Sequence, residues 1–216
     1  MDTMQMIRER HSVRAYLDRK IEPEKAAQIE SELAEINARS GLHMQYLAEA
    51  DGVFGGLMLR AIGWKGAPAC LALAAKDAPD AEERCGYYGE HMVLFLQSLG
   101  LNTCWVGMFK ASAVRAEISD GEKLFAVIAV GYGANQGKPH RSKRVDEVTD
   151  VKEMPDWFRA GVESALLAPT AMNRQPFVFS LENGEPVARI NGGAFAKMDL
   201  GIVKYHFEAA SGRKAR

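Results

Sequence analysis

Residues 168–177 read Ala-Pro-Thr-Ala-Met-Asn-Arg-Gln-Pro-Phe, between a predicted helix at Pro155–Leu167 and a predicted strand at Phe177–Leu181. The small side chains of this stretch let a flat ring lie close to the backbone. Its Asn and Gln amides both donate and accept hydrogen bonds, as the polar edge of a heteroaromatic ring requires. A helix cap and turn before a strand is the alternative, and it explains Asn173 but not the whole run.

A second polar stretch, RHSVR at residues 10–14, follows a short predicted helix at Met4–Glu9. Alternate residues of an extended backbone share a face, so Arg10, Ser12 and Arg14 are expected to point the same way. Two guanidinium groups and a hydroxyl on one face suit a phosphate group. Surface charge at the end of a helix is the alternative.

Two further stretches carry candidate ligands. The basic loop KPHRSKR (138–144) follows the predicted strand Leu124–Val130, and its cations could converge with those of RHSVR on one anion. A solvated basic loop is the alternative. The predicted strand NTCWV (102–106) ends at Gly107, where backbone N–H groups become available to a ligand. A core strand with a buried Trp105 explains the same residues.

Composition limits the class of protein. The 216 residues, 47% hydrophobic and 25% charged, fit a single globular domain, 1–216. A net charge of −1 favours neither nucleic acid nor an anionic membrane as partner. The three cysteines are widely spaced and form no CxxC pair, so we expect a reducing compartment and no metal site, with Cys70 and Cys104 in the core. No apolar leader or membrane span is recognisable, so we expect a cytoplasmic protein.

Helices and strands alternate along the chain, with one hairpin near its C-terminus that has Asn183-Gly184 as its turn. The pattern predicts an α+β fold, a mixed and mostly antiparallel sheet flanked by helices. Residues 53–66 are ambiguous, either a lid or pocket wall carrying Trp64 and Lys65 or a core-packing turn. The other predicted helices are Glu22–Arg39, Asp80–Leu99 and Phe195–Ala209, and the other predicted strands are His43–Leu47, Pro68–Ala75 and Val187–Ile190.

Together these stretches resemble the nitroreductase family. RHSVR is similar to its N-terminal phosphate motif, and APTAMNRQPF resembles its ring-binding motif, with Phe177 where the family usually has Trp. Residues 90–107 resemble the central helix and the strand that reaches the flavin, and AVIAVGYG with HRSKR resembles the late strand with its basic ligands. The ring motif comes last, within residues 155–211. This order is similar to that of the nitroreductases of the Thermotoga type.

The resemblance implies a nitroreductase-like fold and a homodimer with FMN at the subunit interface. Either subunit could supply the ring motif. The implied phosphate and ribityl ligands are Arg10, Ser12 and Arg14, supported by His11 and completed by Arg141 and Lys143. The implied ring neighbours are Pro169, Thr170, Ala171, Asn173 and Gln175, with Trp105, Val106 and Gly107 near ring atoms N5 and O4.

The implied activity is ping-pong hydride transfer from NADH or NADPH, through flavin N5, to a small organic acceptor such as a nitroaromatic or quinone. The chemistry would belong to the cofactor, so the sequence identifies no catalytic acid, and each of the five histidines has a structural explanation. Three alternatives stay open. They are a flavoenzyme of the same fold that performs dehalogenation or flavin fragmentation, a non-enzymatic FMN-storage or FMN-sensing protein, and a dimeric interaction protein with decayed motifs.

Overall fold

The structure is a computed structural model and describes residues 2–56, 59 and 63–216. Contacts within the chain group it into two compact units. The sheet unit comprises Arg10–Ala81 and Met92–Pro139. The hairpin unit comprises Met1–Glu9, Glu82–His91 and His140–Arg216.

Every helix and strand predicted from the sequence is present, with ends that differ by at most two residues. None of the helices in the described part of the chain is long and apolar enough to cross a membrane. The helices are α1 (Thr3–Glu9), α2 (Pro23–Ser40), α3 (Ala81–Ser98), α4 (Asp156–Ala165) and α5 (Ala196–Ser211). The strands are β1 (His43–Leu47), β2 (Ala69–Lys76), β3 (Asn102–Val106), β4 (Glu122–Gly131), β5 (Phe177–Glu182) and β6 (Glu185–Ile190).

The sheet unit contains a four-stranded antiparallel sheet in the order β1-β2-β4-β3. The first seven residues of β2 and the last six of β4 are all buried. A strand with one solvated face would alternate instead, so both faces of these central strands are covered. Cys70 and Cys104 lie in this core, as the sequence predicts.

The hairpin unit is built on the β5–β6 pair and on α4 and α5. Asn183 and Gly184 both have positive φ, 54° and 82°, as a two-residue turn between right-twisted strands requires. The Phe179 ring stacks on Phe207 with centroids 4.6 Å apart, and Phe158 packs edge-on against Phe207 at 5.7 Å. Aromatic packing therefore joins the hairpin to both helices.

Within the hairpin unit, α5 also packs against the first half of α3, and a buried ionisable pair joins them. His206 Nε2 lies 2.9 Å from Glu90 Oε1, and His206 Nδ1 lies 3.1 Å from the Ser164 carbonyl oxygen. A carbonyl only accepts, so Nδ1 carries a proton and a second proton lies between Nε2 and Glu90. The pair is neutral as a whole, which makes its complete burial tolerable.

Candidate functional site

The RHSVR stretch is held in the sheet unit as an extended segment beside β3. Ser12 forms a parallel bridge with Thr103, and the Val13 N–H donates to the Thr103 carbonyl at 3.0 Å. Ala15 pairs with Lys65 in the same way. Pairing at both ends fixes which side chains of the stretch face the same way.

The three alternate residues of the stretch lie around the Cys104 thiol of β3. Burial raises the pKa of the Cys104 thiol, and that rise is opposed by the charges of Arg14 and Arg10 and by a hydrogen bond with the Ser12 side chain. All three alternate residues therefore act on one sulfur atom. Val13, between them, is fully buried and faces the core. We call Arg10, Ser12 and Arg14 the phosphate face. Arg14 is exposed and Arg10 is buried, so Arg14 and Ser12 are its more accessible groups.

A cavity of about 630 Å³ lies next to the end of β3, in the same unit. Trp105 and Val106 pair with β4, and Gly107, the first residue after the strand, is exposed. Apolar walls with one cation suit a small organic molecule. Described residues that line the cavity include Gly52, Gly55, Leu59, Met108, Phe109 and Lys110.

The ambiguous segment 53–66 is described only in part, because residues 57, 58 and 60–62 lie outside the described residues. Trp64 is buried and packs on the Phe54 ring at 5.1 Å, which agrees with the core-packing interpretation for that residue. The Lys65 N–H donates to the Arg14 carbonyl at 2.8 Å, so the end of the segment runs beside the phosphate face.

In the hairpin unit, the APTAMNRQPF stretch folds into a tight loop between α4 and β5, which we call the ring loop (168–177). Three of its residues adopt the left-handed backbone region that glycine favours: φ is 53° at Met172, 53° at Asn173 and 47° at Gln175. Such conformations persist only where surrounding contacts impose them, and they concentrate at functional sites. Met172 is 84% exposed, so packing of its own side chain does not impose this geometry.

Gln175 is the internal anchor of the ring loop. Its side chain is buried, its N–H donates to Thr170 Oγ1 at 3.0 Å, and its Nε2 donates to the Leu166 carbonyl at 2.8 Å. Lys143 donates twice to Gln175, from its N–H to Oε1 and from Nζ to the carbonyl oxygen, each at 2.8 Å. The Gln175 amide thus fixes the loop's shape and ties it to the basic loop.

Asn173 makes a second connection to the basic loop. Its Nδ2 donates to the Arg141 carbonyl at 2.8 Å, while both side chains are exposed. The hairpin unit therefore brings together Arg141 and Lys143 with Asn173 and Gln175. The sheet unit pairs the segment that carries the phosphate face with β3 at Thr103.

Sequence reasoning missed Asp199, in the first part of α5. It is 5% exposed, and both of its carboxylate oxygens accept from the Ala171 N–H at 3.0 Å. Burial raises the pKa of Asp199 to about 6, and the hydrogen bond from Ala171 opposes that rise. The available signal was an acidic residue beside Met198, at a buried position of a predicted amphipathic helix.

Comparison with known proteins identifies the family and the fold. A family model described as "Putative TM nitroreductase" matches residues 2–211. The chain belongs to this nitroreductase family. The predicted kinship with the Thermotoga type is therefore confirmed, and so is the α+β nitroreductase-like fold. No curated protein matches this nitroreductase.

Solved structures show the same fold. A structure described as a putative nitroreductase from Thermotoga maritima has a TM-score of 0.71 and 23% identity, and the match covers 99% of this chain and 87% of that one. A putative nitroreductase in complex with FMN from Desulfovibrio desulfuricans has a TM-score of 0.53 at 20% identity, covering 71% and 96%. An FMN-dependent nitroreductase from Clostridium difficile has a TM-score of 0.51 at 18% identity, covering 64% and 91%.

Proposed function

We propose that this nitroreductase binds FMN and transfers hydride from NADH or NADPH to a small organic acceptor such as a nitroaromatic or quinone. The observation that carries the proposal is the phosphate face: Arg10, Ser12 and Arg14 lie around the Cys104 thiol, on a segment that the Ser12–Thr103 bridge holds beside β3. Two of the solved nitroreductases are described with FMN, which supports the choice of cofactor. We further propose a cytoplasmic homodimer, in keeping with the family resemblance.

The phosphate face has the chemistry that a flavin phosphate needs. The exposed Arg14 guanidinium can donate two parallel N–H hydrogen bonds to phosphate oxygens, and the Ser12 hydroxyl can donate another. The buried Arg10 adds positive charge. With a net charge of −1, the protein must attract an anion through such a local cluster. We also propose Arg141 and Lys143 as phosphate ligands. The Lys143 ammonium already donates to the Gln175 carbonyl oxygen, so the Arg141 side chain would be the main donor of the two.

The ring loop has the chemistry that a flavin ring needs. Pro169, Thr170 and Ala171 present small or rigid groups, and Asn173 presents an exposed amide. We propose that these residues face the ring and that Gln175 holds them in place. Bound FMN would supply the redox chemistry, by accepting a hydride at N5 and delivering its electrons to a second substrate that replaces the first.

We propose that residues at the end of β3, in the sheet unit, also contact the flavin. Backbone N–H groups near Gly107 can donate to the polar edge of the ring, which stabilises negative charge without a titratable side chain. Trp105 and Val106 would border the ring at N5 and O4. The cavity beyond this strand end would hold the acceptor.

An absorbance spectrum of the purified protein tests the proposal most directly. We expect bound flavin, or quenching of FMN fluorescence when FMN is added at micromolar concentration. Anaerobic titration with NADH and NADPH should then bleach the flavin, and a nitroaromatic should restore its colour, while light scattering reports the dimer. Protein that neither carries nor takes up FMN would contradict the proposal. Slow bleaching by both nucleotides would indicate flavin storage or sensing instead.

A further inference from the structure

We infer that Asp199 is a positioning residue for the flavin ring, which holds the ring loop in its binding conformation through the Ala171 backbone N–H. The inference rests on the proposed function, because it assigns Asp199 a role towards a ring that the loop is proposed to contact. Nothing in the family resemblance points to this residue.

The first support is geometric. The ring loop contains three left-handed residues outside glycine, and it must be held from outside to keep that shape. Gln175 and Thr170 hold its C-terminal side through the N–H to Oγ1 bond at 3.0 Å. On the N-terminal side, the Ala171 N–H donates to both oxygens of Asp199 at 3.0 Å. Asp199 therefore fixes the loop immediately before the strained Met172 and Asn173.

The second support is energetic. Asp199 is 5% exposed, and burying a carboxylate is costly unless it is paired. Two cations and two carboxylates of these helices pair with each other instead: Lys204 Nζ lies 2.6 Å from Glu83 Oε1, and His206 Nε2 lies 2.9 Å from Glu90 Oε1. Among the residues that the structure describes, the hydrogen-bond donor to the Asp199 carboxylate is the Ala171 N–H. A buried carboxylate directed at one loop N–H is explained by a requirement to fix that loop.

The test compares Asp199→Ala, Asp199→Asn and the control Asp150→Ala, which removes an exposed aspartate of the same unit. Alanine removes the acceptor, so we expect riboflavin and FMN affinities to fall by the same factor, about tenfold or more. Riboflavin lacks the phosphate, so equal factors locate the defect at the ring. Asparagine keeps an acceptor oxygen and should restore most of the affinity, and Asp150→Ala should change nothing.

A pH profile with riboflavin adds a readout that a purely structural role would not move. Riboflavin is used because the phosphate of FMN itself titrates near pH 6. Wild-type affinity should weaken as the pH falls through about 6, because a protonated carboxyl is a poorer acceptor. The affinity of Asp199→Asn should stay flat over the same range. Matching profiles for the two proteins would overturn the inference.

Hydrogen exchange of flavin-free protein separates this inference from the proposed function. Amides of residues 168–176 should exchange faster in Asp199→Ala than in wild type and Asp150→Ala. If wild type binds no flavin, the proposed function fails, and with it the role towards the ring, whereas the exchange result still decides whether Asp199 holds the loop. If wild type binds flavin but neither affinity nor exchange changes in Asp199→Ala, the inference alone fails. Should the alanine variant not fold, the pH profile of Asp199→Asn decides.

Discussion

Arg14 is the exposed guanidinium of the phosphate face, whereas Lys138 is an exposed cation of the basic loop. We predict that Arg14→Ala weakens FMN binding by about 1.5–3 kcal/mol, the usual contribution of a hydrogen bond to a charged group. Lys138→Ala should change FMN affinity much less, because an exposed ammonium on a flexible stem acts as a point charge and forms no bidentate phosphate contact. Fluorescence titration of both variants measures the difference.

Riboflavin provides the control for that comparison, since Arg14→Ala should leave riboflavin affinity unchanged. Equal losses of FMN affinity in Arg14→Ala and Lys138→Ala would place the phosphate elsewhere.

The same residues show what the sequence could predict about the site. Period-two alternation predicts the shared face of Arg10, Ser12 and Arg14 from neighbours in the chain. The bond from Ala171 to Asp199 joins residues 28 positions apart, and no local pattern encodes such a contact.

Among the secondary-structure elements, α3 and α5 approach each other closely at two glycines of the hairpin unit. A Cβ added at Gly201 would lie 1.9 Å from the Glu83 carbonyl oxygen, and one added at Gly86 would lie 2.1 Å from the Met198 carbonyl oxygen. Both obstacles are backbone atoms, which cannot rotate away. We predict that Gly201→Ala lowers the free energy of unfolding by about 3 kcal/mol or more, because the helices must separate.

Urea unfolding measures this change, and Gly56→Ala is the control, since a Cβ there meets no atom of the described residues within 4 Å. That control should shift stability only slightly, by about 0.5 kcal/mol in either direction. An unchanged urea midpoint for Gly201→Ala would mean that α3 and α5 leave room for a Cβ at this position.

The boundaries of the elements and the β5–β6 hairpin followed from local patterns, but the strand pairing within the four-stranded sheet did not. The Gly41 stop of α2 and the Asn183-Gly184 turn are conformational preferences of single residues, and both appear with the expected positive φ. The order β1-β2-β4-β3 depends on contacts between residues as distant as Cys70 and Ala129. Hydrophobic runs such as β2 identify buried strands without identifying their neighbours.

Unfolding of the whole chain should report the cost of the buried Asp199 carboxylate. Its pKa is about 6 in the folded protein, above the ordinary value, so its contribution to stability is fully present below about pH 4 and is lost as the pH rises through 6. We predict that the free energy of unfolding of wild type minus that of Asp199→Asn falls by about 2–3 kcal/mol between acidic and neutral pH. Any constant cost of the buried asparagine cancels in this slope. A flat or rising difference, measured by urea unfolding across that range, would contradict the prediction. Two results together would show that the carboxylate is retained at the expense of stability: a fall in this free-energy difference, and a loss of the acid dependence of riboflavin binding in Asp199→Asn. That combination is expected of a group kept for function.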